Sequence, residues 1–302
     1  MAVAHSSARP ATRRRGQLFV ALAALAWSSA GVLQRELDVD TATQVAGRAF
    51  FALLFLASVV LVSARGDVVP AVRSIGLAGV GVAVCTAVAS GSFIVALNHA
   101  RVANVLFMQA VAPIAAALLA WVALGEQVTR RSWIAMAIAV VGVALMVGAP
   151  GSGGAFGVGI SLVMTLAFAT GIVITRHKRD VSMVPAICLA QLLVFLVGAP
   201  FADAGSVSAR DLALLALLGV GQIGLGLLFL VLGARLIPAA EVALITLLEI
   251  VLAPLWVWIA IGETPASATL IGGAVVVGAV VLQATGRPAG DRLAQPLVAE
   301  SP

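Results

Sequence analysis

Apolar stretches of about twenty residues, each long enough to cross the hydrocarbon of a bilayer as a helix, recur along the whole chain. Their limits in the first half are 17–34, 43–64, 73–97, 102–124 and 130–148. The second half repeats the pattern at 156–175, 183–202, 211–234, 238–261 and 267–285. Charged, glycine or proline clusters separate them, among them Arg65-Gly66-Asp67, Pro150-Gly151-Ser152-Gly153-Gly154 and Arg176-His177-Lys178-Arg179-Asp180. The runs are continuous and lack period-2 alternation. In lipid only helices and closed barrels satisfy every backbone N–H and C=O, so this pattern predicts an all-α integral membrane protein of ten transmembrane helices.

The pattern also repeats in detail. Ala120-Trp121-Val122-Ala123-Leu124-Gly125-Glu126 returns 137 residues later as Val257-Trp258-Ile259-Ala260-Ile261-Gly262-Glu263. The same offset matches Ala116 with Ala253, Ile134 with Ile271 and Leu145 with Leu282. Alanine and valine matches are cheap in such a chain; the Trp and Gly-Glu matches are not. An internal repeat of this length divides the chain into two similar halves. The expected organisation is an N-terminal tail 1–16, a first repeat 17–149, a linker 150–155, a second repeat 156–285 and a C-terminal tail 286–302.

Composition strengthens the membrane reading. Hydrophobic residues make up 62% of the chain and charged residues 10%, against about 45–50% and about 25% in soluble domains. Mean hydropathy is +1.13. Cys85 and Cys188, the two cysteines, each lie inside an apolar run, as small buried hydrophobes do. The net charge of +5 is spread over short loops without an aromatic-interleaved basic face, so no nucleic-acid partner is expected.

Charge placement gives orientation. With the N-terminus cytoplasmic, 14 of the 18 Lys and Arg fall on the inside; Arg35, Arg48, Arg101 and Arg210 fall outside. Both termini are then cytoplasmic. Five spans per half is an odd number, so the second half enters the membrane upside down. The flanks agree: Glu126 is followed by Arg130-Arg131, whereas Glu263 is followed by no charge as far as Ala268. Similar helices with opposite loop bias are the mark of an inverted repeat, common in secondary transporters.

Two spellings mislead. Arg13-Arg14-Arg15 before an apolar run resembles a secretory or twin-arginine signal, but nine further spans favour a retained first helix. Gly219-Val220-Gly221-Gln222-Ile223-Gly224 spells a dinucleotide fingerprint. No strand precedes it, and inside a span such glycines let helices approach closely.

At this point the residues resemble a known family. Asn104-Val105-Leu106-Phe107-Met108-Gln109, Ala112-Pro113, Trp121 and Gly125-Glu126 are similar to the fourth span of EamA domains. Leu248-Glu249-Ile250-Val251-Leu252-Ala253-Pro254-Leu255-Trp256-Val257-Trp258 with Gly262-Glu263 is similar to the ninth. The resemblance, to the drug/metabolite transporter superfamily, covers about residues 17–285. It implies ten helices in a five-plus-five inverted repeat that carries small metabolites, amino acids among them, across the bacterial inner membrane. It also implies a central cavity lined by helices one to four and six to nine. Many second repeats carry Pro directly after the Glu of the ninth span; here Ile250 stands there and Pro254 follows one turn later.

Ionisable groups inside a span are expensive and mark pathways or coupling sites. Glu249, mid-way along the ninth span, is either a proton-coupling or substrate-amine site, or a hydrogen-bonded structural group. Thr246 and Trp256 share roughly its face by helical spacing. Arg48, with Gln191 as its approximate repeat mate, could hold a substrate carboxylate through its fork. It could equally be a snorkelling anchor or an ion-pair partner of Glu36, Asp38 or Asp40. Trp27 and Phe168 correspond at an offset of 141 and could sandwich a solute or pack as ordinary core. Gln109, Gln222, Asn98 and Asn104 offer neutral hydrogen-bonding groups. His99 reads as a loop residue, and Glu126 and Glu263 as helix ends.

The expected function is an inner-membrane secondary transporter that exports amino acids or related small amphiphiles by alternating access, with proton coupling or facilitated exchange as the drive. Drug or organic-anion transport on the same fold is the alternative. The partners are the lipid bilayer, a small solute and protons, and the chain acts as monomer or homodimer. No Walker A, H-E-x-x-H or G-x-S-x-G spelling occurs and there are only three His, so no cofactor, metal or enzyme chemistry is expected. A non-transporting scaffold is the remaining alternative.

Overall fold

The computed structural model describes residues 10–100, 102–148, 155–262 and 264–285. Arg101, Glu263, most of the expected linker and both extreme tails lie outside the described residues. The described chain is a bundle of helices: α1 (Pro10–Ser28), α2 (Ala30–Leu33), α3 (Thr41–Ser63), α4 (Val68–Ser74), α5 (Gly76–His99), α6 (Val102–Ala110), α7 (Ala112–Leu124) and α8 (Arg130–Val147). It continues with α9 (Ala155–His177), α10 (Val184–Gly198), α11 (Ala209–Leu217), α12 (Leu225–Ala234), α13 (Ala239–Thr246), α14 (Leu248–Ile261) and α15 (Ser267–Ala284). A π-helical turn, Leu218–Gly224, joins α11 to α12.

Nine helices among the described residues are long and apolar enough to cross a membrane, which makes the chain a multi-pass membrane protein. α1 is not one of them. It starts at Pro10 and takes Arg13, Arg14 and Arg15 into its first turns, where the expected tail would have run to residue 16. A long-range contact holds this segment: Arg13 is bound by a buried carboxylate of α13, Glu241 (Nη2–Oε1 3.0 Å).

Capping chemistry sets several helix starts. The Asp40 carboxylate accepts from the N–H groups of Ala42 (2.8 Å) and Thr43 (3.0 Å) at the start of α3. The Thr43 hydroxyl also donates to it, and these bonds hold the Asp40 carboxyl below the ordinary aspartate range. Thr129 caps α8, and Ser208 with Asp211 forms a capping box on α11. The glycines of the two Gly-Glu endings share one geometry. Gly125 (φ +66°) and Gly262 (φ +81°) both take the left-handed conformation that ends a helix without steric cost to glycine.

Packing joins the two halves. α1 lies on α12, α3 on α10, α5 on α9, α7 on α13 and α8 on α15. Small residues allow the closest approaches: a Cβ on Gly272 would stand 2.4 Å from the Gly142 carbonyl oxygen between α8 and α15. One end of the bundle gathers Arg13, Gln17, Glu126, Arg131, Arg176, Arg235, Glu241 and the end of α15. There Arg13 and Gln17 bond Glu241, and Arg131 Nε donates to the Leu282 carbonyl (2.7 Å). The other end pairs Glu36 with Arg210, Asp38 N–H with Asp211 Oδ1 (3.1 Å) and Asp203 N–H with Thr43 Oγ1 (2.8 Å).

Candidate functional site

A cavity of about 740 Å³ runs along the bundle between the two halves. Its lining runs from Gln34, Val102 and Thr264-Pro265, at the end opposite the basic cluster, to Thr175 and Ala234, next to the cluster residues Arg176 and Arg235. Ile172, Ile223, Leu227 and Leu230 supply apolar wall; Thr86, Ser90, Thr165 and Thr175 supply hydroxyls. The size and the mix of apolar wall with few polar groups are those of a small-molecule site, about 300–1,000 Å³.

Most of the sequence-predicted residues converge on it. Trp27, Arg48, Gln109, Phe168, Gln222 and Glu249 all line this one cavity. Trp27 and Phe168 meet edge to face, with ring centroids 6.2 Å apart at 66°. Gln109 Nε2 donates to Glu249 Oε1, linking the end of α6 to the start of α14. Buried Nε of Arg48 and buried Oε1 of Gln222 meet no protein hydrogen-bond partner among the described residues. Among the described residues no ion pair joins Arg48 to Glu36, Asp38 or Asp40; Glu36 pairs with Arg210, and Asp40 caps α3.

Two residues stand outside. Gln191 is buried, 2% exposed, and does not line the cavity. Trp256 is half-exposed and donates its Nε1 to Ser28 Oγ (2.8 Å). The helical spacing misplaces it for a clear reason. The stripe of α14 that faces the cavity is Glu249, Ile250, Ala253, Pro254 and Val257. Glu249 stands at the edge of that stripe, so Trp256, seven residues on, falls just beyond it. Thr246 lies across a helix interruption at Leu247 and spends its hydroxyl on the Ala243 carbonyl (2.8 Å). His99 ends α5 and packs against Phe156. Asn104 is buried, and the Asn98 side chain lies outside the described residues.

The glycine-rich stretch does local work for the site. A Cβ on Gly219 would fall 2.7 Å from the Arg48 carbonyl oxygen, one on Gly224 2.6 Å from Phe55, and one on Gly226 2.2 Å from Trp27 Nε1. The glycines thus let α3 and α1 pack directly on the eighth span. The π-turn between them carries Gln222 into the cavity wall, and π-bulges recur at functional sites. The spelling announces close packing; nothing in it announces the extra residue per turn. The hydroxyls of α5 and α9 were also invisible, because Ser and Thr are common in spans, where they bond the preceding turn.

Fold and site together define a multi-pass, all-helical membrane protein of two repeats around one amphiphilic solute-sized cavity. The EamA-like transporter family matches the chain over residues 14–148 and 155–285, and the chain belongs to that family. It is a family of drug/metabolite-type membrane transporters and not of enzymes. A solved structure titled only "Crystal structure of protein" has the same fold, with a TM-score of 0.79 and 19% identity over 90% of this chain and 98% of that one. No curated protein matches the chain by sequence.

Proposed function

We propose that the protein is a secondary carrier in a bacterial inner membrane that exports amino acids or related small amphiphilic solutes by alternating access. The observation that carries this reading is the cavity itself. One pocket brings together a cation whose Nε has no hydrogen-bond partner among the described residues, a carboxylate, an amide acceptor and a pair of aromatic rings. Arg48 offers a carboxylate its fork, Gln222 Oε1 accepts an N–H or O–H, and the rings and aliphatic wall cover an apolar body. A solute with a carboxylate, a nearby donor and an apolar remainder suits that set. Glu249, held by Gln109 in mid-bundle, is the residue for proton coupling. The Arg48 guanidinium also favours a second reading, an organic-anion permease, in which the donor group is dispensable.

The carrier has ten spans in this reading, α1 being the first, arranged as two inverted repeats. Positive-inside counting and the gathering of basic residues at one end of the bundle support it, with both termini cytoplasmic. The packing also supports it: exchanging the halves turns the α1–α12 contact into α9–α5 and leaves α3–α10 and α8–α15 unchanged as pairs. Reporter fusions just after Glu126 and just after Glu263 must then report opposite compartments; the same compartment for both ends this topology. Flux is tested in proteoliposomes with an imposed pH gradient, using solutes chosen from those that cells lacking the protein retain. Uptake of a carboxylate amphiphile that responds to the gradient is expected. Absence of flux for every such solute would overturn the carrier reading.

A further inference from the structure

We infer that Glu126 and Arg176 form the gate that seals the basic end of the cavity, a role that rests on the alternating-access reading. The two sit in one wall. Glu126 follows α7 and Arg176 is near the end of α9, helices packed on each other, and their ion pair closes at 2.8 Å with side chains 23% and 14% exposed. Facing them is the turn between α12, which packs chiefly on α1, and α13, which packs on both α7 and α1. Arg176 Nη1 crosses to the Arg235 carbonyl oxygen (2.9 Å), and Glu126 Oε2 accepts from the Ala239 N–H at a longer 3.4 Å. Arg235 Nε donates back to the Arg179 carbonyl.

The chemistry of these crossings is directional. The carbonyls ending α12 and the N–H groups opening α13 lack intrahelical partners, and the helix dipoles make the first negative and the second positive. The cation of the pair meets the carbonyl end and the anion meets the N–H end. One ion pair therefore satisfies both helix ends of the facing turn at once. Its position is that of a floor: the cavity ends at Thr175 and Ala234, the residues just before Arg176 and Arg235.

The more buried pair, Arg13 with Glu241, does something different. It joins α1 to α13, and neither residue lines the cavity or adjoins one that does, so it braces the end of the bundle and does not close the path. At the far end α6 and α14 touch at Gln109 and Glu249 and then line the cavity from separate sides, through Val102 and Leu106 on one and Pro254 and Val257 on the other. In sequence register Arg176 corresponds to Arg35 and Glu126 to Glu263, so both residue types of the pair recur in the other half, although Glu263 lies outside the described residues.

The test reads access and needs no solute. In a background carrying Cys85→Ala and Cys188→Ala, Val231→Cys places one thiol in the cavity wall, a turn above Arg235. Labelling by a membrane-impermeant maleimide is followed from each side, in right-side-out and inside-out vesicles. The parent is labelled from the side opposite the basic cluster and protected from the basic side. Glu126→Gln and Arg176→Gln, made separately, each raise basic-side labelling about tenfold or more, the shift that loss of one charge-assisted bond produces in a two-state equilibrium. The exchange Glu126→Arg with Arg176→Glu restores an ion pair but turns it the wrong way for both helix ends, so protection stays lost. Basic-side labelling at the parental rate in both single variants overturns the gate. So does an exchanged pair that recovers protection, because an ion pair acting only between α7 and α9 would be rescued. If the single variants open the floor and no solute ever moves, the gate is supported and it is the carrier reading that fails.

Discussion

Trp27 and Phe168 meet edge to face across the cavity wall although 141 residues separate them, and they occupy matching positions in the two repeats. A contact between repeat-equivalent residues places them where the two halves face each other. Trp27 is further fixed from behind, because its indole lies against the bare backbone of Gly226. The rings are held on one side by packing and open to the cavity on the other.

That arrangement predicts coupled losses. Trp27→Ala and Phe168→Ala should each weaken solute binding, and the double variant should lose less than the sum of the two. An aromatic pair contributes about 0.5–1.5 kcal/mol beyond its buried area, or about two- to tenfold in affinity. A double-mutant cycle on dissociation constants in detergent or nanodiscs measures it. Strict additivity would mean that the rings act independently.

Gly226→Ala should impair transport without removing the protein from the membrane. Its new Cβ would stand 2.2 Å from Trp27 Nε1, so the indole must shift into the cavity. Gly221→Ala is the control, since its Cβ would sit 3.7 Å from Leu217 Cδ1, an ordinary contact. Solute affinity falls in the first and stays near the parent in the second. Equal affinities for both variants would show that the glycine does not seat the tryptophan.

Sequence periodicity located the spans because lipid demands continuous apolar helices, and it found the repeat through residues as distinctive as Trp121 and Trp258. It read the ninth span as one helix, while the chain breaks at Leu247, because Leu at an interruption looks like Leu in a helix. Arg48 and Glu249 were legible as site residues for an energetic reason: charges within spans are too costly to lack a role. Gln191 was not separable from Gln222, since neutral amides satisfy helix–helix contacts and solutes alike. Which face of α14 lines the cavity depends on its neighbours, and that information is held by Ser28 and α1, far away in the chain.

Glu249→Gln should abolish flux driven by a pH gradient while leaving the protein folded. The amide keeps hydrogen-bonding capacity toward Gln109 but cannot carry a proton, so uncoupled exchange of solute should survive better than gradient-driven flux. Both are measured in the same proteoliposomes. Undiminished, still pH-coupled flux would assign Glu249 to structure alone.

Arg48→Lys retains charge and loses the planar fork. Transport of a carboxylate solute should fall by about tenfold or more, the scale of losing one charge-assisted bond. Transport of a neutral analogue through the same cavity should change little. Full carboxylate transport by the lysine variant would reduce Arg48 to a cavity-wall cation.

The seam between α8 and α15 should set stability without providing chemistry. A Cβ on Gly272 would come within 2.4 Å of the Gly142 carbonyl oxygen and 2.7 Å of the Met146 nitrogen. Both are backbone atoms in a regular helix and cannot step aside, so Gly272→Ala forces the helices apart. Overpacking of this kind costs about 1–3 kcal/mol. Gly278 lies on the same helix with nothing within 4 Å of its would-be Cβ, and alanine there only improves helix propensity. In a detergent thermal-unfolding assay Gly272→Ala should lower the midpoint, and Gly278→Ala should match or raise it. The comparison separates close packing from helix propensity, because the two substitutions add the same methyl group to the same helix; equal midpoints would mean that the seam is not tight.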